Sequence, residues 1–186
     1  MAMNKRFLMV SAALVIGGIA LAAAPWKTEL KQSKLAFVGT QAGAEFEGVF
    51  DKFAADIQFD ANDLATSRFD VTIDVRSVNS RDKERDAVIK SPDLFSADKW
   101  PTARYVTSTF ADLGGGKYLA TGKLTIRDVT RDVPVEFTHV VDASGAWLKG
   151  SAKIKRLEFG VGQGEWKDTQ GVANDVRVTF ALRLLR

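Results

Sequence analysis

Residues 68–76 read Arg68-Phe-Asp-Val-Thr-Ile-Asp-Val-Arg76, with apolar and polar positions alternating without a slip. Phe69, Val71, Ile73 and Val75 fall on one side of an extended chain, and Asp70, Thr72, Asp74 and Arg76 fall on the other. Successive side chains of a strand point to opposite faces, so this is a strand with one face in an apolar interior and the other in water.

The same period runs outward in both directions. Upstream, Leu35 with Phe37 and then Phe46, Gly48 and Phe50 repeat it, followed by Ile57 and Phe59. Downstream it returns in Tyr118, Ala120, Leu124 and Ile126, in Val133, Val135, Phe137, His139 and Val141, in Leu148, Ala152 and Ile154, and in Val176, Val178, Phe180, Leu182 and Leu184. Turn chemistry separates the runs at Asp60-Ala-Asn-Asp63, Gly114-Gly-Gly116 and Asp142-Ala-Ser-Gly145. The pattern predicts eight strands, near 33–40, 44–59, 66–77, 103–113, 116–128, 131–142, 145–156 and 174–185. Long antiparallel strands with one apolar face fit a closed barrel, which removes exposed edges. Eight strands enclose a space that side chains can fill or one small ligand can occupy.

The first residues have the layout of a secretory signal peptide: Lys5 and Arg6, an apolar run from Phe7 to Leu21, then small residues. An Ala-x-Ala pattern at Ala20–Ala22 places cleavage after residue 22, leaving 23–186 as one exported domain; an uncleaved anchor is the alternative. The chain carries +3, and loss of Lys5 and Arg6 lowers that to +1. So balanced a surface offers no basic footprint for nucleic acid. There is no cysteine, and roughly 160 residues can bury a core without disulfides.

Two stretches do not alternate: Asn79 to Pro101, and the Gly-rich run Glu158 to Gly171 with Trp166. Both are expected at the mouths of the barrel. The first contains the charged run Ser80-Arg-Asp-Lys-Glu-Arg-Asp86, whose opposite signs at i,i+3 suit a short solvated helical turn. Ser91 as N-cap with Pro92 behind it suggests a short helix there too. Thus a helical insertion is expected between the third and fourth strands.

Chemistry-bearing motifs are scarce. The single His139 lies on an apolar parity with no cysteine or second histidine nearby in sequence, so it reads as a core histidine with its nitrogens satisfied rather than a metal ligand. There is no nucleophile elbow. Gly160-Val-Gly-Gln-Gly164 lacks the spacing and context of a phosphate loop, and Asp128–Asp132 reads as a turn. No catalytic residue, metal or cofactor is therefore assigned.

Arg85-Asp86, Lys90-Ser-Pro-Asp-Leu-Phe95 and Lys99-Trp-Pro-Thr-Ala103, followed by Gly122 and Leu124-Thr-Ile-Arg-Asp-Val-Thr-Arg131, together resemble the YceI-like family, periplasmic lipid- or polyisoprenoid-binding proteins with a lipocalin-like barrel. Glu47-Gly-Val-Phe50 and Arg156-Leu-Glu-Phe-Gly160 are similar to two weaker family landmarks. The chain departs from the pattern at Val88, where many members carry His, and at Ile89, Leu94 and Asp128.

The resemblance implies an all-β, eight-stranded lipocalin-like barrel holding an isoprenoid-like or other long-chain amphiphile, in a carrier or sequestering role without catalysis. On the strand parity its tail runs along Phe37, Phe46, Phe50, Phe69, Ile73, Tyr118, Phe137 and Phe180, with Leu94, Phe95 and Trp100 at one end. Arg85, Asp86 and Trp166 are candidates for the head group. Since one methylene in an apolar pocket is worth only ~1–3 kcal/mol, chain length is expected to be read loosely and the polar end more selectively. A homodimer stays open. The other classes considered are a small outer-membrane barrel, which needs a polar lumen, and an enzyme using the same pocket.

Overall fold

A computed structural model describes residues 26–185. The expected signal segment, 1–22, lies outside them. The described chain forms β1 (Lys27–Thr28), β2 (Lys34–Gln41), β3 (Ala44–Phe50), β4 (Phe53–Gln58), β5 (Arg68–Asp74), β6 (Val78–Asn79), α1 (Lys83–Lys90), β7 (Thr102–Gly114), β8 (Lys117–Ile126), β9 (Val129–Asp142), β10 (Gly145–Lys155) and β11 (Asp175–Leu185). All strand pairs are antiparallel, in the order β4-β5-β7-β8-β9-β10-β11-β2-β3-β6, with β1 paired to β11. This is the antiparallel barrel that the alternation implies, curled in the lipocalin-like way that the family resemblance implies, with the helical insertion between β5–β6 and β7 in its expected place.

The described residues form eleven strands instead of the expected eight because the run 44–59 bends and divides into β3 and β4, and two short strands, β1 and β6, join the sheet. Phe46 and Phe50 of β3 face inward on even numbers, whereas Phe53 and Ile57 of β4 do so on odd numbers. One side-chain step is lost at Asp51-Lys52, and the neighbouring chain holds the bend. The Asp51 N–H donates to the Ser77 carbonyl (3.1 Å), the Asp74 N–H to the Lys52 carbonyl (3.0 Å), and the Lys52 N–H to Ser77 Oγ (2.9 Å). β3 consequently pairs with β2 and β6, while β4 pairs with β5. The segment 66–77 breaks at the same level, into β5 and a 3-10 turn at Val75–Ser77. A second phase change occurs in β7, where a bulge between Thr107 and Thr109 turns Phe110 inward after Ala103 and Tyr105.

Glycine opposite an aromatic ring recurs on the inner face. Gly48 pairs with Phe37, Gly39 with Phe46, and Gly150 with Phe180. In each case the ring lies over its partner, and a Cβ on the glycine would come within 3 Å of it. The absent side chain lets the ring lie flat on the sheet, which narrows the interior and allows the wall to curve.

The charged positions face outward. Asp70 accepts from Arg104 Nε (2.8 Å) and Nη2 (2.6 Å) and from Arg68 Nη2 (2.7 Å), and the Arg104 hydrogen bond is foremost in lowering its pKa to about 2. Arg183, on the same outward parity, is an exception: it is 5% exposed and donates to both oxygens of Asp142 at 2.7 and 2.9 Å.

The insertion meets expectation in part. The charged run opens the expected helix, α1, which is capped by Asp82, whose carboxylate accepts from the Glu84 and Arg85 N–H groups, and which extends to Lys90. Of the three i,i+3 charge pairs, Asp82–Arg85 forms an ion pair (3.2 Å). Ser91 ends α1 instead of starting a helix, and 92–99 runs as successive turns. A proline at 92 cannot donate the N–H that continuation would use.

One end of the barrel is filled by aromatic rings. Phe59 packs edge-on against Tyr118 (4.9 Å between centroids), Phe137 (5.3 Å) and His139 (4.9 Å), and Phe69 lies 4.9 Å from Phe110 and 5.3 Å from Phe137. Trp26 adds an edge contact to His139 at 5.9 Å and donates its indole N–H to the Phe59 carbonyl (3.1 Å). Each such aromatic pair is worth about 0.5–1.5 kcal/mol beyond its buried area. His139 Nε2 is buried here without a hydrogen-bond partner among the described residues, contrary to the expectation that both nitrogens are satisfied. Val141 also departs from its inward parity and is 55% exposed at the end of β9.

Two outcomes follow from this packing. Gly48→Ala forces a methyl into the Phe37 ring and lowers stability by about 1–3 kcal/mol, read as a lower urea midpoint; an unchanged midpoint contradicts the close approach. Burial pushes the His139 pKa below its ordinary 6.5, so on acidification the unfolded chain takes up this proton before the folded one does. Stability therefore declines as pH falls below about 6.5, and His139→Leu flattens that decline in urea midpoints measured from pH 7 to 5.

Candidate ligand cavity

Inside the barrel, between the aromatic end and the insertion, is a cavity of about 220 Å³. Its side wall is built from the inward rows already described: Leu35 and Phe37 on β2, Phe69, Val71 and Ile73 on β5, Leu124 and Ile126 on β8, Val133 and Val135 on β9, Ala152 and Ile154 on β10, and Val176, Val178 and Phe180 on β11. The wall exposes no polar surface. Two polar residues line it and both turn their polar atoms away. The Tyr105 hydroxyl donates to the Ala120 and Val133 carbonyls (3.3 and 3.1 Å), and burial raises its pKa beyond the ordinary tyrosine value. Arg156, 5% exposed, donates from Nε to the Ala173 carbonyl (2.9 Å), from Nη1 to Val161 (3.0 Å) and from Nη2 to Val172 (2.7 Å).

The two non-alternating stretches meet over one end of this space. The Gly162 and Gln163 N–H groups donate to the Asp93 carbonyl at 3.0 and 2.8 Å. Arg127 Nη1 reaches from the β8–β9 turn to the Leu94 and Gly160 carbonyls (2.7 and 2.8 Å), stapling insertion to loop. Ile89, Leu94 and Phe95 hang inward from the insertion, and Val161, Val172 and Ala173 from the loop. Arg127 takes the left-handed conformation of that turn (φ 57°), so Asp128, at the family's glycine position, bears no positive φ.

Of the residues expected along a ligand tail, Phe37, Phe46, Phe50, Phe69, Ile73, Leu94, Phe95 and Phe180 line the cavity. Tyr118 and Phe137 do not. Both are on the inward parity, but they pack together at the aromatic end (5.5 Å, stacked) and form its plug. Trp100 also lies off the wall, between Lys99 Nζ (4.2 Å) and Arg127 (4.6 Å) on the outside of the insertion.

The head-group candidates are occupied within the protein. Arg85 donates to Ser80 Oγ (3.0 Å) and Asp82 Oδ2 (3.2 Å) and lies 4.5 Å over the Phe46 ring. Asp86 accepts the Ser80 N–H (2.8 Å). Trp166 is half-buried against the core and does not reach the wall. Reading the sequence for aromatic residues missed the aliphatic rows, although their parity was already visible at Val133, Val135, Val176 and Val178. The loop residues Val161, Val172 and Ala173 carry no periodic signal that could have found them.

Comparison with known proteins places this geometry. The YceI-like domain profile matches residues 26–184. A UPF0312 protein of Vibrio vulnificus is 30% identical over 121 residues, covering 62% of this chain; the chain spans 64% of that relative's length. The crystal structure of BcnA from Burkholderia cenocepacia superposes with a TM-score of 0.81 at 38% identity, over 84% of this chain and 98% of BcnA. A polyisoprenoid binding domain from Saccharophagus degradans shares the fold, with a TM-score of 0.68 at 17% identity over 86% of this chain and 97% of that domain. With the profile running from Trp26 in the aromatic plug to Leu184 at the end of β11, the chain belongs to the YceI-like family.

Proposed function

We propose that this protein is a periplasmic carrier or sequestering protein that encloses one isoprenoid-like or other long-chain amphiphile, reaching its compartment through a cleaved segment at 1–22. The observation that carries the reading is the cavity wall, which is long, apolar and without exposed polar surface. Such a space favours hydrocarbon by about 0.8 kcal/mol per enclosed CH₂. Among the described residues that line it, the two polar ones, Tyr105 and Arg156, turn their polar atoms to backbone carbonyls and away from an occupant, which suits the holding of an apolar chain. The polyisoprenoid-binding domain that shares the fold supports an isoprenoid chain as the occupant.

The outward rows argue against an outer-membrane barrel. Asp70, Asp74, Arg76, Lys153, Lys155 and Arg177 lie on the outer face, where a membrane barrel needs an apolar band. Among the described residues no helix is long and apolar enough to cross a membrane.

Organic extraction of the purified protein, followed by lipid mass spectrometry, tests the proposal. A stoichiometric long-chain amphiphile is expected; recovery of none, with no binding of added prenyl alcohols, overturns it. Ala152→Phe places a ring on the wall opposite Val178 and is expected to weaken binding at least tenfold while leaving the folded β-sheet spectrum intact.

A further inference from the structure

Since the cavity wall exposes no polar surface, the polar end of an amphiphile must lie outside it; this inference rests on the binding reading above. Where β3 breaks from β4, the outer surface carries a groove of about 370 Å³. It shares Leu35, Phe50 and Phe53 with the cavity and adds Lys34, Asp51 and Lys52. Only those three apolar side chains are common to inside and outside, and Phe50 and Phe53 are half-buried despite their inward parity.

The gap has a structural cause. The bend at Asp51-Lys52 sends β3 to β2 and β4 to β5, so no ladder joins the start of β2 to the start of β4. The N-terminal segment touches β4 further along, through the Trp26–Ile57 bridge and the Thr28 hydroxyl on the Ala55 carbonyl (2.8 Å).

The groove's charges are unevenly engaged. Lys34 is paired with Glu47, and Asp51 accepts from Asn79 Nδ2 (3.2 Å). Lys52 is exposed and makes no ion pair within contact distance among the described residues, although its charge is near enough to Asp74 to help lower that carboxyl's pKa, after the larger effect of the Arg76 hydrogen bond. At the other end of the cavity, by contrast, Arg85 is neutralised by Asp82 and held on Phe46. We propose that this groove is the head-group site, seating an anionic carboxylate or phosphate beside Lys52 while the chain passes between Leu35, Phe50 and Phe53 into the cavity.

Isothermal titration of the full chain, stripped of co-purified lipid on a hydrophobic resin and checked lipid-free by mass spectrometry, with hexadecanoic acid, hexadecyl phosphate and hexadecan-1-ol separates charge from chain. The wild type is expected to bind one or both anions more tightly than the alcohol, and the acid and phosphate arms identify which head group fits. Lys52→Glu, a change at an exposed side chain, is expected to weaken the anions about fivefold and the alcohol less than twofold, the scale of one exposed charge interaction. An equal effect on all three ligands, or none, overturns the proposal. So does an anion-selective loss in Arg85→Ala, which would place the head group at the insertion end. If no ligand binds the wild type, the cavity reading itself fails, a result distinct from binding that ignores Lys52.

Discussion

The structure depends on one constraint: an antiparallel sheet must curl far enough to bring its inward rows around a common axis while keeping that axis dry. Each strand contributes alternate residues to the interior, and a one-residue slip would turn a whole row into water. Glycine beneath an aromatic ring is how this chain meets the constraint at three cross-strand positions. Phe37 over Gly48, Phe46 over Gly39 and Phe180 over Gly150 occupy the space that a second side chain would have filled. The interior narrows without crowding, and the aromatic faces become wall.

The remaining features follow from the need to end such a barrel. At one end a cluster of rings fills the space, including His139 with a nitrogen that has no partner among the described residues. At the other, two irregular segments are bound together through carbonyls, Arg127 reaching those of Leu94 and Gly160 and the Gly162 and Gln163 N–H groups reaching that of Asp93, while Arg156 ties the second segment to itself. A buried guanidinium is costly unless hydrogen-bonded, and that of Arg156 is satisfied by backbone carbonyls instead of carboxylates. Its polar atoms, like the Tyr105 hydroxyl, are thereby withdrawn from the cavity, which is why the wall stays apolar although an arginine and a tyrosine belong to it. A long chain enclosed there gains several kcal/mol in gross transfer energy, much of it offset because the same chain is already apolar-solvated in a membrane and must be ordered on binding.

Most of the barrel was legible because its signal is local. Period two at Phe69–Val75, Val133–His139 and Val176–Leu184 reports directly which side chains point inward. The bend at Asp51-Lys52 was also present in the sequence, as a shift from the even positions Phe46 and Phe50 to the odd positions Ile57 and Phe59, but a parity shift alone does not reveal which strand each half joins. Tyr118 and Phe137 show a different limit: parity gives the face but not the height along the barrel, so plug and cavity wall look alike. Ser91-Pro92 misled because an N-cap signal is local, whereas α1 was already capped by Asp82, about two and a half turns earlier in the insertion. Trp100, Arg127 and Arg156 owe their places to contacts between segments about 30 residues or fewer apart in sequence but without periodic pattern, and no local rule reports these.

The central claim is that the cavity between the aromatic plug and the insertion holds a hydrocarbon chain. A crystal structure of the protein with 16-bromohexadecanoic acid, with data collected at the bromine absorption edge, tests it most directly. The account predicts one anomalous peak inside the barrel, among Ile73, Val135, Val178 and Phe180. A peak confined to the outer surface, with the cavity still closed and empty, would contradict it.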